Sequence, residues 1–275
     1  MSLPTKFFSI KIRIKLFIML FALYGKSIFA NSNNINCNKK FKISLYDFGL
    51  FYSKETDSGI DKDIALELEN RSKCSFDFIT NSPRIQALKL LESGNIDISM
   101  SSIETPERDE YAYFYHYQQS KNFIIIRKNI TAKNWNDFIS NPNLKFGIVK
   151  GYRHGVSDEK IIYLKKQNRV IEYFDSFKLY KALKENEIQA VLGLVPVYKF
   201  YIMKEKGLEN MVKEIDWNPN EKAVKNGIMM SKKVFTKEES EKWGKILQNM
   251  VQDGTIYKIF RKYLNENEAN EMLLK

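Results

Sequence analysis

The sequence is poor in the residues that carry covalent and metal chemistry. Of its 275 residues two are cysteine, Cys37 and Cys74, and two are histidine, His116 and His154. No histidine or third cysteine lies near either cysteine, which argues against a metal centre. No Ser-His-Asp constellation is visible. No glycine-rich phosphate-binding motif occurs, so any ATP-driven step has to come from a partner. The apolar run from Leu16 to Tyr24 is nine residues, too short to cross a hydrocarbon core of ~30 Å. Internal repeats and low-complexity segments are absent. The lysines are spread in pairs, without the basic stripe and interleaved aromatics that nucleic acid requires. No cofactor is expected.

Acid is missing from the first 30 residues, which hold Lys6, Lys11, Arg13, Lys15 and Lys26, then the short apolar run, then Ser27-Ile28-Phe29-Ala30. This order reads as a secretory signal peptide, residues 1–30, cut after Ala30. Without those five of the 44 basic residues, 39 stand against 33 acids, so the exported part carries net +6 rather than +11. No lipid-attachment pattern precedes Cys37, and the expectation is a freely diffusing monomer in a periplasm. Both cysteines lie in the exported part, and a single pair in an oxidising compartment is expected to bond. A Cys37–Cys74 bridge would tie the N-terminus to the second strand and contribute roughly 3–4 kcal/mol by restricting the unfolded chain.

The rest of the chain is arranged around Gly94 to Arg108. A helix expected from Arg84 to Ser93, apolar at Ile85, Leu88 and Leu91, stops at Gly94. A strand from Ile96 to Met100 runs into Ser101 and Ser102, and Thr105-Pro106 opens another helix. Free amide groups, serine hydroxyls and the Arg108 guanidinium then converge, which suits a carboxylate. An ordinary turn with a surface arginine is the alternative from these residues alone.

Gly94-x-x-Asp97, a strand, then Thr105-x-x-Arg108 before aromatic residues resembles extracellular solute-binding protein family 3, the periplasmic amino-acid-binding proteins of ABC importers. Further pieces fall in that family's order: Gly59-Ile60-Asp61-Lys62-Asp63-Ile64, Gly147-Ile148-Val149-Lys150-Gly151 and Asp253-Gly254-Thr255. The match covers about residues 40 to 264. It implies an α/β, two-lobed type II periplasmic binding protein with mostly parallel sheets and a hinge of two crossings. The alternation of strands and helices points the same way. Lobe 1 is expected over 31–128 and 220–275 and lobe 2 over 129–219, with the first crossing at Arg127 to Asn129. The resemblance further implies a small-molecule ligand caught between the lobes by hinge closure and delivered to a membrane permease.

Site residues carry over one by one. Arg108 is the expected carboxylate clamp, with Ser101 and Ser102 beside it. In the family the loop after the first strand supplies an aromatic that stacks on the ligand; here Phe48, Phe51 and Tyr52 are candidates that spacing does not separate, and Asp47 of the same loop is a further candidate for ligand contact. Arg84 falls where several members place an aromatic that closes over the ligand, although the outer helix surface is the alternative. Arg153 stands where a serine or threonine commonly touches the carboxylate. The chain departs from the family at Leu194, where an aspartate usually holds the ligand's ammonium. Glu104 either takes over that ammonium or pairs with Arg108. Asp57, Asp61 and Asp63 read as helix-capping acids rather than a calcium loop, and residues 265–275 as a polar tail.

A cleft that keeps its cation, loses its anion and adds arginines favours a ligand of net negative charge. The expected function is therefore capture of a small anionic or amino-acid-like solute, without catalysis. A sensor input or degenerate binding module is the alternative. A periplasmic dehydratase-like enzyme is a third reading, for which Glu104 is the candidate acid.

Overall fold

The computed structural model describes residues 35–274; the expected signal peptide and its cleavage site lie outside them. The chain runs through β1 (Lys40–Ser44), α1 (Ile60–Ser72), β2 (Ser75–Ile79), α2 (Arg84–Glu92), β3 (Ile98–Ile103), the single turn α3 (Pro106–Asp109) and β4 (Ala112–Ser120). Next come β5 (Phe123–Arg127), α4 (Trp135–Ser140), β6 (Phe146–Val149), α5 (Ser157–Lys166), β7 (Val170–Tyr173), α6 (Ser176–Lys184), β8 (Ala190–Gly193), α7 (Val195–Lys204), α8 (Leu208–Met211) and β9 (Val212–Ile215). It returns through β10 (Val224–Ser231) and ends in α9 (Lys237–Gln252), α10 (Thr255–Tyr263) and α11 (Glu266–Met272). No helix of the described residues is long and apolar enough to cross a membrane.

The strands form two five-stranded sheets, ordered β2-β1-β3-β10-β4 and β7-β6-β8-β5-β9. In each, the strands joined through helices pair in parallel. The remaining pairings are antiparallel. Both sheets are therefore mixed, where mostly parallel ones were expected, because β10 inserts between β3 and β4 and β5 between β8 and β9. The strand Phe123–Arg127 was expected to precede the first crossing. Its pairing with β8 and β9 instead puts the change of sheet between Ser120 and Phe123.

Side-chain size and alternation explain the packing. Phe41 and Phe76 stand on one face of β1 and β2, and both rings meet Trp243 of α9 at 5.3 and 5.7 Å. Trp243 is fully buried, and truncating a residue of this kind costs about 3–5 kcal/mol. Helix α9 begins in a capping box in which Thr236 and Glu239 satisfy each other's backbone N–H groups. A second capping box, Asn265 with Glu268, starts α11, whose Ala269 and Met272 are buried. The expected polar tail is thus largely an ordered helix, because Ala269 and Met272 reach the core. Cys37 and Cys74 are bonded, with Cα atoms 5.0 Å apart, and this ties the segment before β1 to the start of β2.

Candidate functional site

The ends of β1, β3, β6 and β8 and the first residues of α2 face one cavity of about 50 Å³, room for roughly three to five water-sized groups. Arg84, Ser101, Arg108, Phe48, Phe51 and Arg153, all named from the sequence, line it. Three others stand elsewhere. Ser102 is behind the wall, where its hydroxyl accepts from Arg84 Nη2 at 2.9 Å. Asp47 is exposed and accepts from the Lys54 backbone N–H at 2.6 Å. Glu104 faces His116, 3.2 Å away, rather than Arg108; burial holds the His116 imidazole below its usual range, so this pair is not fully charged at neutral pH.

Arg84 is 4 % exposed although it opens a helix. Its guanidinium donates to Ser99 Oγ and Ser102 Oγ, both at 2.9 Å, and lies 4.9 Å from the centre of the Tyr46 ring. Arg108, also 4 % exposed, donates to the backbone carbonyls of Ile103 (2.8 Å) and Gly151 (3.0 Å). Burial and the nearby Arg84 charge lower its pKa to about 10. Among the described residues both arginines thus use two of the five donors a guanidinium carries, and neither donates to a carboxylate. Thr105 caps α3, but a single turn adds little dipole, so the cationic character of the site comes from the arginines.

Ser101 departs from ordinary strand geometry, with φ +42°, a region costly for a residue with a side chain. The kink turns its hydroxyl away from the ladder to donate to Asp61 Oδ1 at 2.7 Å. Tyr117 donates to the same oxygen at 3.0 Å, and Gln118 donates to Ser101 Oγ at 3.1 Å. Asp61 is 2 % exposed. Burial raises its pKa to about 7, against the hydrogen bonds from Ser101 and Tyr117 and the charge of Arg84. It does not cap α1, which starts without a side-chain cap; it holds the cavity wall from behind.

Aromatic rings fill the other side. Phe48 stacks on Phe51 at 5.0 Å, and Tyr152 meets Phe48 edge-on at 5.1 Å and Tyr46 at 6.1 Å. Tyr52 is a core residue whose hydroxyl donates to Asp57. Sequence reasoning passed over Tyr46, Tyr152, Tyr180 and Asn226, all of which line the cavity. Asn226 left a trace: it is a polar residue just ahead of the apolar run Ile228 to Met230 of its strand.

The two sheets close tightly over the site. Besides the Arg108–Gly151 bond, ion pairs join Arg153 with Glu107, Lys204 with Glu55 and Lys199 with Glu268. Leu50 N–H donates to the Pro196 carbonyl at 2.9 Å. Gly49, at φ +63°, leaves no room for a Cβ, which would stand 2.7 Å from Pro196 O and 2.8 Å from Val197 Cα.

Two mixed sheets meeting across a cavity at their strand ends define the type II periplasmic binding protein fold. The chain belongs to the bacterial extracellular solute-binding proteins, family 3, whose pattern it matches over residues 43–266. No curated protein sequence matches it. Among solved structures it is similar to the arginine-, lysine-, histidine-binding protein ArtJ of Geobacillus stearothermophilus (TM-score 0.70, 17 % identity, covering 82 % of this chain and 95 % of that one). It is similar also to the GluR0 ligand-binding core of Nostoc punctiforme in complex with L-glutamate (TM-score 0.66, 18 % identity, 82 % and 99 %). A third similar structure is a histidine kinase sensor domain (TM-score 0.69, 14 % identity, 87 % and 99 %).

Proposed function

We propose that the chain is a periplasmic solute-binding protein that captures a small anion between two lobes and hands it to the permease of an ABC importer. The lobes are the halves built on the two sheets, hinged where the chain changes sheet near residues 121–122 and 216–223. The observation that carries the reading is the charge of the wall. Arg84, Arg108 and Arg153 line the cavity, and among the described residues no aspartate or glutamate does. Arg153 is already paired with Glu107, which leaves Arg84 and Arg108 as the receptor.

A comparison within the molecule sharpens this. Arg169 is also buried, and all its donors are used: it bonds the carbonyls of Leu144, Ile139, Phe138 and Asn141 and the side chain of Gln167. That is a buried arginine serving the fold. Arg84 and Arg108 keep donors in reserve beside a cavity, and leaving buried charge uncompensated costs several kcal/mol per ion. A bound anion supplies the compensation, with charge-assisted bonds worth about 1.5–3 kcal/mol each.

Sensing is the second reading, favoured by the likeness to a histidine kinase sensor domain; it uses the same cleft and differs only in the partner. Native mass spectrometry of protein purified from periplasm without added ligand tests capture. A bound species that leaves as an anion is expected. Co-purification of a cationic solute would count against the reading.

A further inference from the structure

We infer that the solute is a short hydroxycarboxylate, an anion with no ammonium group; this rests on the reading of the cleft as an anion receptor. The carboxylate end is set by Arg84 and Arg108. The far end is set by what stands at the end of β8. There the Leu194 side chain replaces any acid, and the Leu194 carbonyl is already occupied by the N–H groups of Val197 and Tyr198.

The buried side-chain polar atoms of the wall that lack a partner among the described residues are neutral. Tyr180 is 1 % exposed and its hydroxyl has no partner among the described residues. The hydroxyl lies at the tip of β8, 2.7 Å from where a Cβ on Gly193 would stand. Its ring is held by parallel stacking on Tyr201, 5.2 Å between centres, so the hydroxyl is fixed in place beside the cavity it lines. Asn226, 3 % exposed, lines the cavity from the other sheet, where it pairs with Ile103 of β3. Its Nδ2 donates to Ser120 Oγ at 2.8 Å, while Oδ1 is unmatched. Turning the amide over would leave Nδ2 free instead, still a neutral group.

A phenol and a primary amide suit a ligand hydroxyl, which both donates and accepts. They do not suit an ammonium, which brings a second positive charge towards two arginines with no counter-ion in the wall. Asp61 does not supply one: it lies behind Ser101, its Oδ1 is taken by Ser101 and Tyr117, and it is not part of the cavity.

The test titrates the exported chain by calorimetry with pairs that differ only in hydroxyl against ammonium: glycolate and glycine, lactate and alanine, malate and aspartate. At least one hydroxy acid is expected to bind, tenfold or more tighter than its amino twin, a gap of about 1.4 kcal/mol. An amino acid that binds as tightly as its hydroxy twin overturns the inference and leaves anion capture standing. Failure of every pair, and of succinate and oxalate, overturns both. Two variants follow the best hydroxy acid, each checked for an unchanged circular dichroism spectrum. Tyr180→Phe is expected to weaken it about tenfold while the matching acid without the hydroxyl changes less than twofold; equal losses contradict the assignment. Leu194→Asp is expected to shift preference towards the amino twin, and an unchanged ratio contradicts it.

Discussion

Replacing Asp61 by asparagine is expected to remove most of the pH dependence of stability between about pH 4 and pH 7. The carboxyl is 2 % exposed. Burial raises its pKa from 3.8 to about 7, opposed by the bonds from Ser101 and Tyr117 and by Arg84. Because the folded value lies above the unfolded one, the folded chain holds the proton more tightly. This contribution is fully present below about pH 4 and is lost as pH rises through about 7. A shift of about three units amounts to about 4 kcal/mol over the whole range, of which roughly 2–3 kcal/mol falls between pH 5 and pH 8. Asparagine presents an Oδ1 that accepts the same two bonds, so Asp61→Asn approximates the protonated state at every pH. Urea unfolding at pH 5 and pH 8, analysed through midpoint and slope, measures the difference. The parent should lose that amount more than the variant on going to pH 8. Parallel stability curves would refute the claim that burial raises this carboxyl. Anion affinity should follow: an ionised Asp61 competes for the field of Arg84, so parent affinity falls through pH 7 and variant affinity does not.

Two further outcomes are expected. Removing the Cys37–Cys74 bond, which closes a sequence separation of 37, with paired serine substitutions should cost about 4 kcal/mol in the chain-entropy relation; equilibrium unfolding checks it, and a loss under 1 kcal/mol would contradict it. Gly49→Ala adds a Cβ against the Pro196 and Val197 backbone at a left-handed φ, so it should favour the open arrangement. Small-angle scattering should then give a larger radius and titration a weaker affinity, and an unchanged radius would contradict the fit described here.

Much of the fold was legible because periodic patterns are long where elements are long. The helix expected from Arg84 to Ser93 runs Arg84–Glu92, and the strand expected from Ile96 runs Ile98–Ile103. Three elements passed over, Val170–Tyr173, Leu208–Met211 and Val212–Ile215, span four residues each, too few to carry a period; the nine-residue strand Ala112–Ser120 was passed over as well, because its run of aromatic residues shows no alternation of apolar and polar. The strand Phe123–Arg127 was seen but placed in the wrong sheet, since an apolar run does not say which neighbour it pairs with. At the site, Arg84 and Arg108 stood out because charge is conspicuous beside apolar helix faces. Glu104 and Asp47 stood out equally and lie off the cavity, because one residue of displacement along a turn points a side chain elsewhere. Tyr46, Tyr152 and Tyr180 gave no signal among fifteen tyrosines, and only folding separates those in the wall from those in the core.

The charge of the ligand is the central claim, and a thermal-shift comparison of acidic, neutral and basic solutes tests it most directly. At a concentration a hundred times its dissociation constant, a bound solute adds ~2.7 kcal/mol of stability. Stabilisation confined to anions, and weakened in Arg84→Gln and in Arg108→Gln, is the predicted result. Stabilisation by arginine or lysine, with none from any anion, would contradict it.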